Sequence, residues 1–584
     1  MTLETNKEIA HIFEEMALLY EIKNDRFRQR ALHRGAQTIS DLAQDLKLIY
    51  KENGLKGLDA LAGIGKGMSE KIEEYIKTGH VKEYEKLKKE MPANLEELTS
   101  VEGLGPKTAK KLYEELNIKT LKDLEDAVKK GKLSKVEGLG KKTEENIAQG
   151  IEFVKSSGGR IPLGGILPYS RELIEEIKEI KGVIEVSEAG SLRRRQETIG
   201  DVDILVAVRS AGSGQASDSK KVLDYAANLP SVVKVWGRGK TKISVHLKRG
   251  FDIDIRVVSK ESYGAALQYF TGSKDHNVKL RKIAISKKYK LNEYGLFKGR
   301  ENVAPGTDEC LIYKKLGMEC MPPELRTDSG EIELAQKKKL PNLIKYGEIK
   351  GDLQVQTNWT DGKDSIEEMA KVAKDEGLEY IAITDHTKNL AMTNGLNGEK
   401  ILKQKAEIKK LNKKLKGITI LAGTECDILK DGSLDIEDKV LKQLDVVGVS
   451  VHSHFNLSRK EQTERIIKAM NNPNVDMLFH PTGRRINIRP PYDVDMEAII
   501  REAKRTGTIL EINGSPERLD LRDEYILMAV KIGAKMCINT DAHAKEHFKF
   551  LEYGIAQARR GWAKKSDIIN TLPLNKFLRM LKYK

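Results

Sequence analysis

The sequence predicts a multidomain chain, all-α in its first quarter and α/β beyond it. Three observations predict this. The 584 residues far exceed the ~150 typical of one domain. Residues 1–155 repeat apolar residues at helical spacing, as in IFEEMALLYEI and LKDLEDAVKKG, without strand-like alternation. Beyond 350, short apolar runs alternate with helical segments, the rhythm of a mainly parallel sheet or barrel. Hydrophobic residues at 39% suffice for ordinary cores, and 102 Lys and Arg against 87 Asp and Glu leave +15, which suits a polyanionic partner. The first segment is amphipathic and acidic, and no apolar run approaches the ~18 residues of a membrane span. Secreted, membrane, collagenous and disordered classes are excluded. Cys310, Cys320, Cys426 and Cys537 form no CxxC pair; no disulfide framework is expected, and a cytoplasmic monomer is.

The helical part is punctuated three times, by Leu-Ala-Gly63-Ile-Gly65-Lys66-Gly67, Val-Glu-Gly103-Leu-Gly105-Pro106-Lys107 and Val-Glu-Gly138-Leu-Gly140-Lys141-Lys142, each before an amphipathic helix. Such turns present backbone N–H groups and a helix N-terminus to phosphate, and glycine admits close approach. Three copies with basic loops predict sequence-independent binding to a DNA backbone. They resemble helix-hairpin-helix motifs.

Strand signals begin near 183 with VIEVSEAGS, DVDILVAV, VVKVWGRG, TKISVHL and FDIDIRVV. Asp201 and Asp203, two apart in a strand, project from one face. A later strand, Phe251 to Arg256, puts Asp252, Asp254 and Arg256 on one face. Adjacent carboxylates repel unless a divalent cation lies between them. Three from two strands can hold two Mg²⁺ (or Mn²⁺) ions for in-line phosphoryl transfer, with Gly190-Ser191 and Arg194 on the leaving phosphates. A further helical stretch is expected at 261–325, and Lys-rich 326–344 suits a linker.

GSLRRRQETIGDVDIL, FDIDIR and Tyr269-Phe270-Thr271-Gly272-Ser273-Lys274-Asp275-His276-Asn277 together resemble a family X DNA polymerase over about 1–325. The resemblance implies a helical lyase-like domain (1–80), a fingers-like subdomain (81–155), a nucleotidyltransferase palm with a mixed sheet (156–260) and a thumb-like subdomain (261–325). It implies Asp254 rather than Asp252 as the third catalytic acid. Gly190, Ser191, Arg194 and Gly200 would serve the triphosphate, Tyr269, Phe270 and Gly272 the sugar, Asn277 the base edge, and Arg256 and Arg281 the DNA. Gly65 to Ile72 matches the family's deoxyribose-phosphate lyase element, with Lys71 at the Schiff-base position. One departure stands beside it: the preceding helix reads Ala31-Leu32-His33-Arg34 where the family often has Tyr-Arg. Arg28, Arg34 or the hairpin backbone can still bind phosphate.

Residues 345–584 resemble a PHP domain, a (βα) barrel that holds Mn²⁺ or Zn²⁺ and acts as a 3′–5′ exonuclease or phosphoesterase. The matching ligand positions are Asp361, His386, Glu425, His452, His480, Asp541 and His543, most of them where an apolar run stops. The family's first strand carries His-x-His, whereas this chain has Gln354 and Gln356. Amide oxygens replace imidazole poorly around a transition metal, so one metal position is expected to be weak and exonuclease activity impaired, with residual metal on Glu425, His452 and His480. The expected function is gap filling on gapped or primed DNA with dNTPs in base-excision repair. The alternatives are an active barrel exonuclease or abasic-end processor, a template-independent or RNA-directed nucleotidyltransferase, and a non-catalytic end-binding scaffold.

Overall fold

The computed structural model describes residues 4–40, 42, 45–61, 63–99, 101, 104–156, 159–209, 213–390 and 393–581, and resolves into two units. The first, residues 1–158 with 487–489, is helical among its described residues. Its opening helix, Glu4–Ile22, buries Ile9, Phe13, Met16 and Tyr20, spaced by fours and threes so that they share one face. Leu58, Ile72, Leu98, Leu112, Leu124 and Ile147 from later helices complete the same core.

The second unit opens on a five-stranded mixed sheet. Its spatial order is Val183–Glu188, Asp201–Val208, Asp252–Ser259, Lys242–Leu247 and Val232–Arg238. The second and third strands run parallel and the other neighbours antiparallel. Helix Leu163–Lys178 supplies Leu163, Ile166, Leu167 and Leu173 to the core on one side, and helix Tyr263–Thr271 packs Ala266 and Leu267 on Leu205 and Ala207. Asp201, the first residue of its strand, is exposed.

Three expectations are corrected here. The stretch 261–325 is not wholly helical: Lys290–Asn292, Gly295–Lys298 and Glu301–Asn302 form a small antiparallel sheet. The Asn292 carboxamide accepts from the N–H groups of Tyr294 and Gly295 and makes its turn; strands this short leave no countable period. The segment 326–344 is packed rather than a loose linker. Arg326 is fully buried on Glu309, the helix Glu331–Gln336 buries Glu331 against His276, and the Ile344 N–H donates to the Ala563 carbonyl. Cys310 and Cys320 form a disulfide, their Cα atoms 5.0 Å apart. The turn after helix Cys310–Lys315 brings them together, a proximity that ten residues of separation do not advertise.

The rest of the unit is a parallel seven-stranded sheet in chain order: Gly351–Val355, Tyr380–Ile383, Thr419–Asp427, Val446–Ser450, Met477–Leu478, Ile509–Asn513 and Met536–Asn539. It nearly closes, because Val355 bridges Ala542 and the Gln356 N–H donates to the Ala542 carbonyl at 2.8 Å. Strands buried on both faces read as continuous apolar runs. One face packs under helices through Ile381, Ile383 and Ile420, and the other fills the barrel with Leu353, Tyr380, Leu421 and Met477, closed by Phe577.

Candidate active site and metal centre

Parallel pairing sets Asp203 beside Asp254 and Asp201 beside Asp252. Asp203 and Asp254 line one small cavity with Arg256 and Phe270, while Asp201 and Asp203 line the adjoining cleft. Burial, then the charges of Asp201 and Asp254, push the Asp203 carboxyl up to about 7. Such a group is short of positive charge, and Lys242, ion-paired to Asp254, supplies part of it. Asp252 is occupied otherwise: its Oδ1 accepts from Trp236 Nε1 at 3.0 Å and lies 2.6 Å from His246 Nδ1. The ambiguity between Asp252 and Asp254 thus has a geometric difference behind it. Gly190 makes the convergence possible. Its φ is +56°, and a Cβ there would lie 2.0 Å from Asp203 Oδ2.

The cleft, about 640 Å³, also collects Gly190, Ser191, Arg194, Tyr269, Phe270, Gly272, Asn277 and Arg281. Among the described residues, Ser191 Oγ and Arg194 Nε are buried without hydrogen-bond partners. Unsatisfied donors at the mouth of an open cleft suit a phosphate oxygen. Burial, then Arg560, lowers the Arg194 guanidinium to about 10, so it still carries its charge at neutral pH. Tyr269 and Phe270 pack edge to face at 5.1 Å, and Arg256 lies 4.4 Å over the Phe270 ring. The Asn277 amide donates to the Tyr269 carbonyl and accepts from Gln268. Gly200 packs against Arg160, which joins the cleft beside Asp201.

At the carboxyl ends of the barrel strands, two groups share His386: Asp361, His386 and His543, and His386, Glu425 and His452. Imidazole with carboxylate is a donor set that fits Mn²⁺ or Zn²⁺. His480 is turned into the same knot, its Nε2 2.7 Å from Glu425 Oε1. His386 thus joins Glu425 and His452 in the set that sequence had drawn with His480. Burial would raise Glu425, but His386, His452 and His480 hold it well below the usual range. Behind His452, Asp427 Oδ1 stands 2.5 Å from Nδ1 and fixes the ring. His480 (φ +28°) and Asp541 (φ +56°) adopt left-handed backbone that non-glycine residues rarely take.

Gln354 and Gln356 are fully buried in this knot. Gln356 Nε2 donates to Glu425 Oε2 at 2.8 Å, while its Oε1 and the Gln354 Nε2 have no partner among the described residues. An amide N–H thus meets one oxygen of the Glu425 carboxylate. Asp541 accepts from Asn513 and pairs with Arg518 at 3.2 Å.

In the helical unit the three glycine turns repeat one geometry. Ile64 N–H bonds to Leu61, Leu104 to Val101 and Leu139 to Val136, and the next helices begin at Lys66, Pro106 and Lys141. Gly63 and Gly138 have φ of +83° and +81°; Gly103 lies outside the described residues. Gly65, Gly105 and Gly140 have open space where a Cβ would sit. No neighbour inside the described fold crowds those three positions. Lys71 pairs with Glu83 at 2.9 Å, and Glu83 also accepts from Tyr20, whose hydroxyl takes a bond from Arg28.

Models of known families match in four places: a helix-hairpin-helix domain over residues 4–81, a SAM-like helix-hairpin-helix tandem over 95–152, the DNA polymerase beta thumb over 266–327 and the PHP domain over 352–514. The chain is 36% identical over 576 residues to the DNA polymerase/3′–5′ exonuclease PolX of Bacillus subtilis (strain 168), covering 97% of this chain and 98% of that one. The chain belongs to the PolX family, the family X DNA polymerases that carry a PHP domain. Its barrel alone resembles probable phosphatases. One, from Thermoanaerobacter sp. (strain X514), is 30% identical over 217 residues, 35% of this chain and 84% of that protein. Another, from Caldanaerobacter subterraneus, is 30% identical over 189 residues, 31% of this chain and 70% of that protein.

Within this PolX-family chain, sequence reading gave no role to Arg160, Lys242 and Lys274 around the carboxylates and cleft, or to Asp427 in the barrel. The first three are single basic residues among 102, and only their convergence on the cleft or on Asp254 singles them out. Asp427 lies two residues after Glu425 on one strand, an alternation that could have flagged it. No helix among the described residues is long and apolar enough to cross a membrane.

Proposed function

We propose that this PolX-family enzyme is a DNA-directed DNA polymerase that fills short gaps during base-excision repair, acting as a monomer on gapped or primed DNA with dNTPs. The observation that carries the proposal is the convergence of Asp203 and Asp254, with Asp203 at about 7, beside a cleft holding unpaired Ser191 Oγ and Arg194 Nε. A carboxylate cluster short of positive charge fits Mg²⁺ or Mn²⁺, held by Asp201, Asp203 and Asp254. When bound, those ions supply Lewis acidity to a primer 3′-hydroxyl and neutralise charge on the triphosphate. The chain's own groups do the rest. Ser191 Oγ, Arg194 and Arg160 donate to the leaving phosphates, Gly190 lets them approach, and Tyr269, Phe270, Gly272 and Asn277 bound the sugar and base.

This reading divides the chain into a lyase-like domain to about 80, fingers to 155, palm to 260, thumb to 325, a packed connector to 344 and the barrel. The hairpin glycines and Arg281 would bind DNA backbone and template. Lys71 is the lyase candidate, although its Nζ is engaged by Glu83 at 2.9 Å and would have to leave that pair to attack a sugar.

For the barrel we infer impaired 3′–5′ exonuclease activity, because Gln356 spends its amide on Glu425. A second reading, an active barrel exonuclease loaded with Mn²⁺ or Zn²⁺, is favoured by the two surviving ligand groups around His386. Primer extension on a one-nucleotide gap separates these readings, with growth and shortening scored with and without dNTPs. Synthesis should fall by about a thousandfold or more in Asp201→Asn while DNA binding holds. Extension by that variant at the normal rate would refute the cation assignment, and vigorous shortening without dNTPs would favour the second reading.

A further inference from the structure

The barrel does more than adjoin the palm; its side chains enter the palm's core and grip one of its loops. Ile486, Leu519 and Tyr553 belong to the same buried cluster as Leu163, Val202 and Ile253 of the palm. Helix Leu551–Arg560 carries Ile555 and Ala558 into the barrel core, while Tyr553 faces the palm and Glu552 pairs with Arg171. Gly164 of the palm packs so close to Pro516 that a Cβ would lie 2.3 Å away.

Two barrel arginines reach further. At the end of helix Leu551–Arg560, Arg560 is nearly buried; its Nη1 donates to the Arg194 carbonyl at 3.3 Å and its Nη2 pairs with Asp523. Arg484, equally enclosed, places Nη2 on Glu197 at 2.7 Å and on the Leu519 carbonyl. Arg194 and Glu197 lie in the short loop that leads from the Gly190-Ser191 turn to Gly200 and Asp201. The segment thus connects the unpaired phosphate donors to the carboxylate strand; beside its own pairing with Ile161–Pro162, two grips on it come from the barrel.

We propose that Arg560 and Arg484 are positioning residues for nucleotide addition, holding the loop 194–200 so that the triphosphate donors and the Asp201 strand keep register. The idea rests on the reading of Arg194 as a triphosphate ligand. Positive charge gathered around a phosphate ligand favours a polyanion. Arg560 and Arg160 both add to the positive field at Arg194. The proposal also gives the barrel a role that survives weakened hydrolysis: it is part of the frame of the polymerase site.

The test is single-nucleotide incorporation by the full-length chain on a one-nucleotide gap, with KM for the dNTP and kcat measured separately and melting recorded in parallel. Arg560→Met should raise KM by about five- to tenfold with kcat changed less than about twofold, the loss of one charge-assisted hydrogen bond and its field. Arg560→Lys should recover part of the affinity. Asp523→Asn, which releases Arg560 from its anchor without removing it, should raise KM in the same direction and serves if Arg560→Met does not fold. Arg171→Ala, which cuts a palm–barrel ion pair away from the loop, should leave KM unchanged. An unaltered KM in both Arg560→Met and Asp523→Asn overturns the inference, as does an equal rise in Arg171→Ala, which would mean general loosening. Arg194→Gln keeps the two levels apart: if it leaves KM unmoved, the triphosphate reading itself fails, whereas a raised KM there with Arg560→Met unmoved rejects positioning alone.

Discussion

Palm and barrel both draw carboxylates together, but they balance the charge differently. In the palm, Asp201, Asp203 and Asp254 oppose one another with Lys242 and Arg194 as partial compensation, and Asp203 rises to about 7. In the barrel, Glu425 is wrapped by His386, His452 and His480, takes a bond from Ser450 and another from Gln356, and falls well below its ordinary value. Asp203 is left short of positive charge, which an external cation would supply. The barrel supplies positive charge to Glu425 from its own imidazoles, with the neutral Gln356 amide adding a hydrogen bond. Glu425 is thus charge-balanced by protein groups, whereas Asp203 is not.

The largest effect that could break this contrast is a gain of function. Restoring both imidazoles, Gln354→His with Gln356→His, should raise Mn²⁺-dependent shortening of a 3′ end by about ten- to a hundredfold. Metal analysis of the purified variant should find additional bound ion per chain, and gap filling should stay as it was. If shortening does not change, the missing imidazoles are not what limits the barrel, and the amide bond to Glu425 has no hydrolytic consequence.

A middle-sized effect lies in pH and stability. In metal-free protein, folded Asp203 titrates at about 7, against an ordinary value of 3.8. Between those values the folded state holds a proton that the unfolded state has released. The group's contribution is thus present at low pH and lost as pH rises through about 7, by an amount on the order of 1–3 kcal/mol. Denaturation in chelator should show that loss, and Asp203→Asn or saturating Mg²⁺ should remove it. Glu425 has the opposite sign: its folded value is depressed, so its contribution is present above the ordinary 4.5 and disappears as pH falls. A metal-free palm whose stability is flat between pH 5 and 8 (read on the same scale, about 0.3 kcal/mol or less) would mean that the carboxylates are already compensated.

The parts of both sites that chemistry ties to a fixed local spacing were legible in the sequence. Asp201 and Asp203 alternate on one strand, Gly190-Ser191 opens a turn, and the barrel ligands follow apolar runs one after another. What spacing could not reveal comes from segments joined only by packing. Lys242 meets Asp254 across two strands, Arg560 meets Arg194 from 366 residues away, and nothing in their neighbours marks them. The Cys310–Cys320 bridge and the small sheet after Lys290 escaped for a related reason: a disulfide depends on a turn's path, and two- to four-residue strands carry no period. The Lys-rich composition of 326–344 pointed toward solvent, yet its few apolar and charged anchors, Arg326, Glu331 and Ile332, decide its packing.

The smallest effect sharpens the comparison from within the palm. Asp252 shares a strand face with Asp254 and differs from it chiefly in company: Trp236 Nε1 and His246 Nδ1 both sit on its Oδ1. Burial alone would raise it, but His246 and Trp236 bring it below the usual carboxylate value. It is a palm carboxylate balanced in the barrel's manner, by protein groups instead of an ion. Asp252→Asn should therefore lower gap-filling kcat/KM by less than about threefold, a loss of uniform support rather than of transition-state charge. Asp254→Asn on the same strand should cost about a thousandfold, as at Asp201. Matched single-turnover measurements of the two variants decide between charge balance and mere strand position. Equal losses would mean that sharing a face with Asp203 is what matters, and that the company of Trp236 and His246 does not shield Asp252 from the reaction.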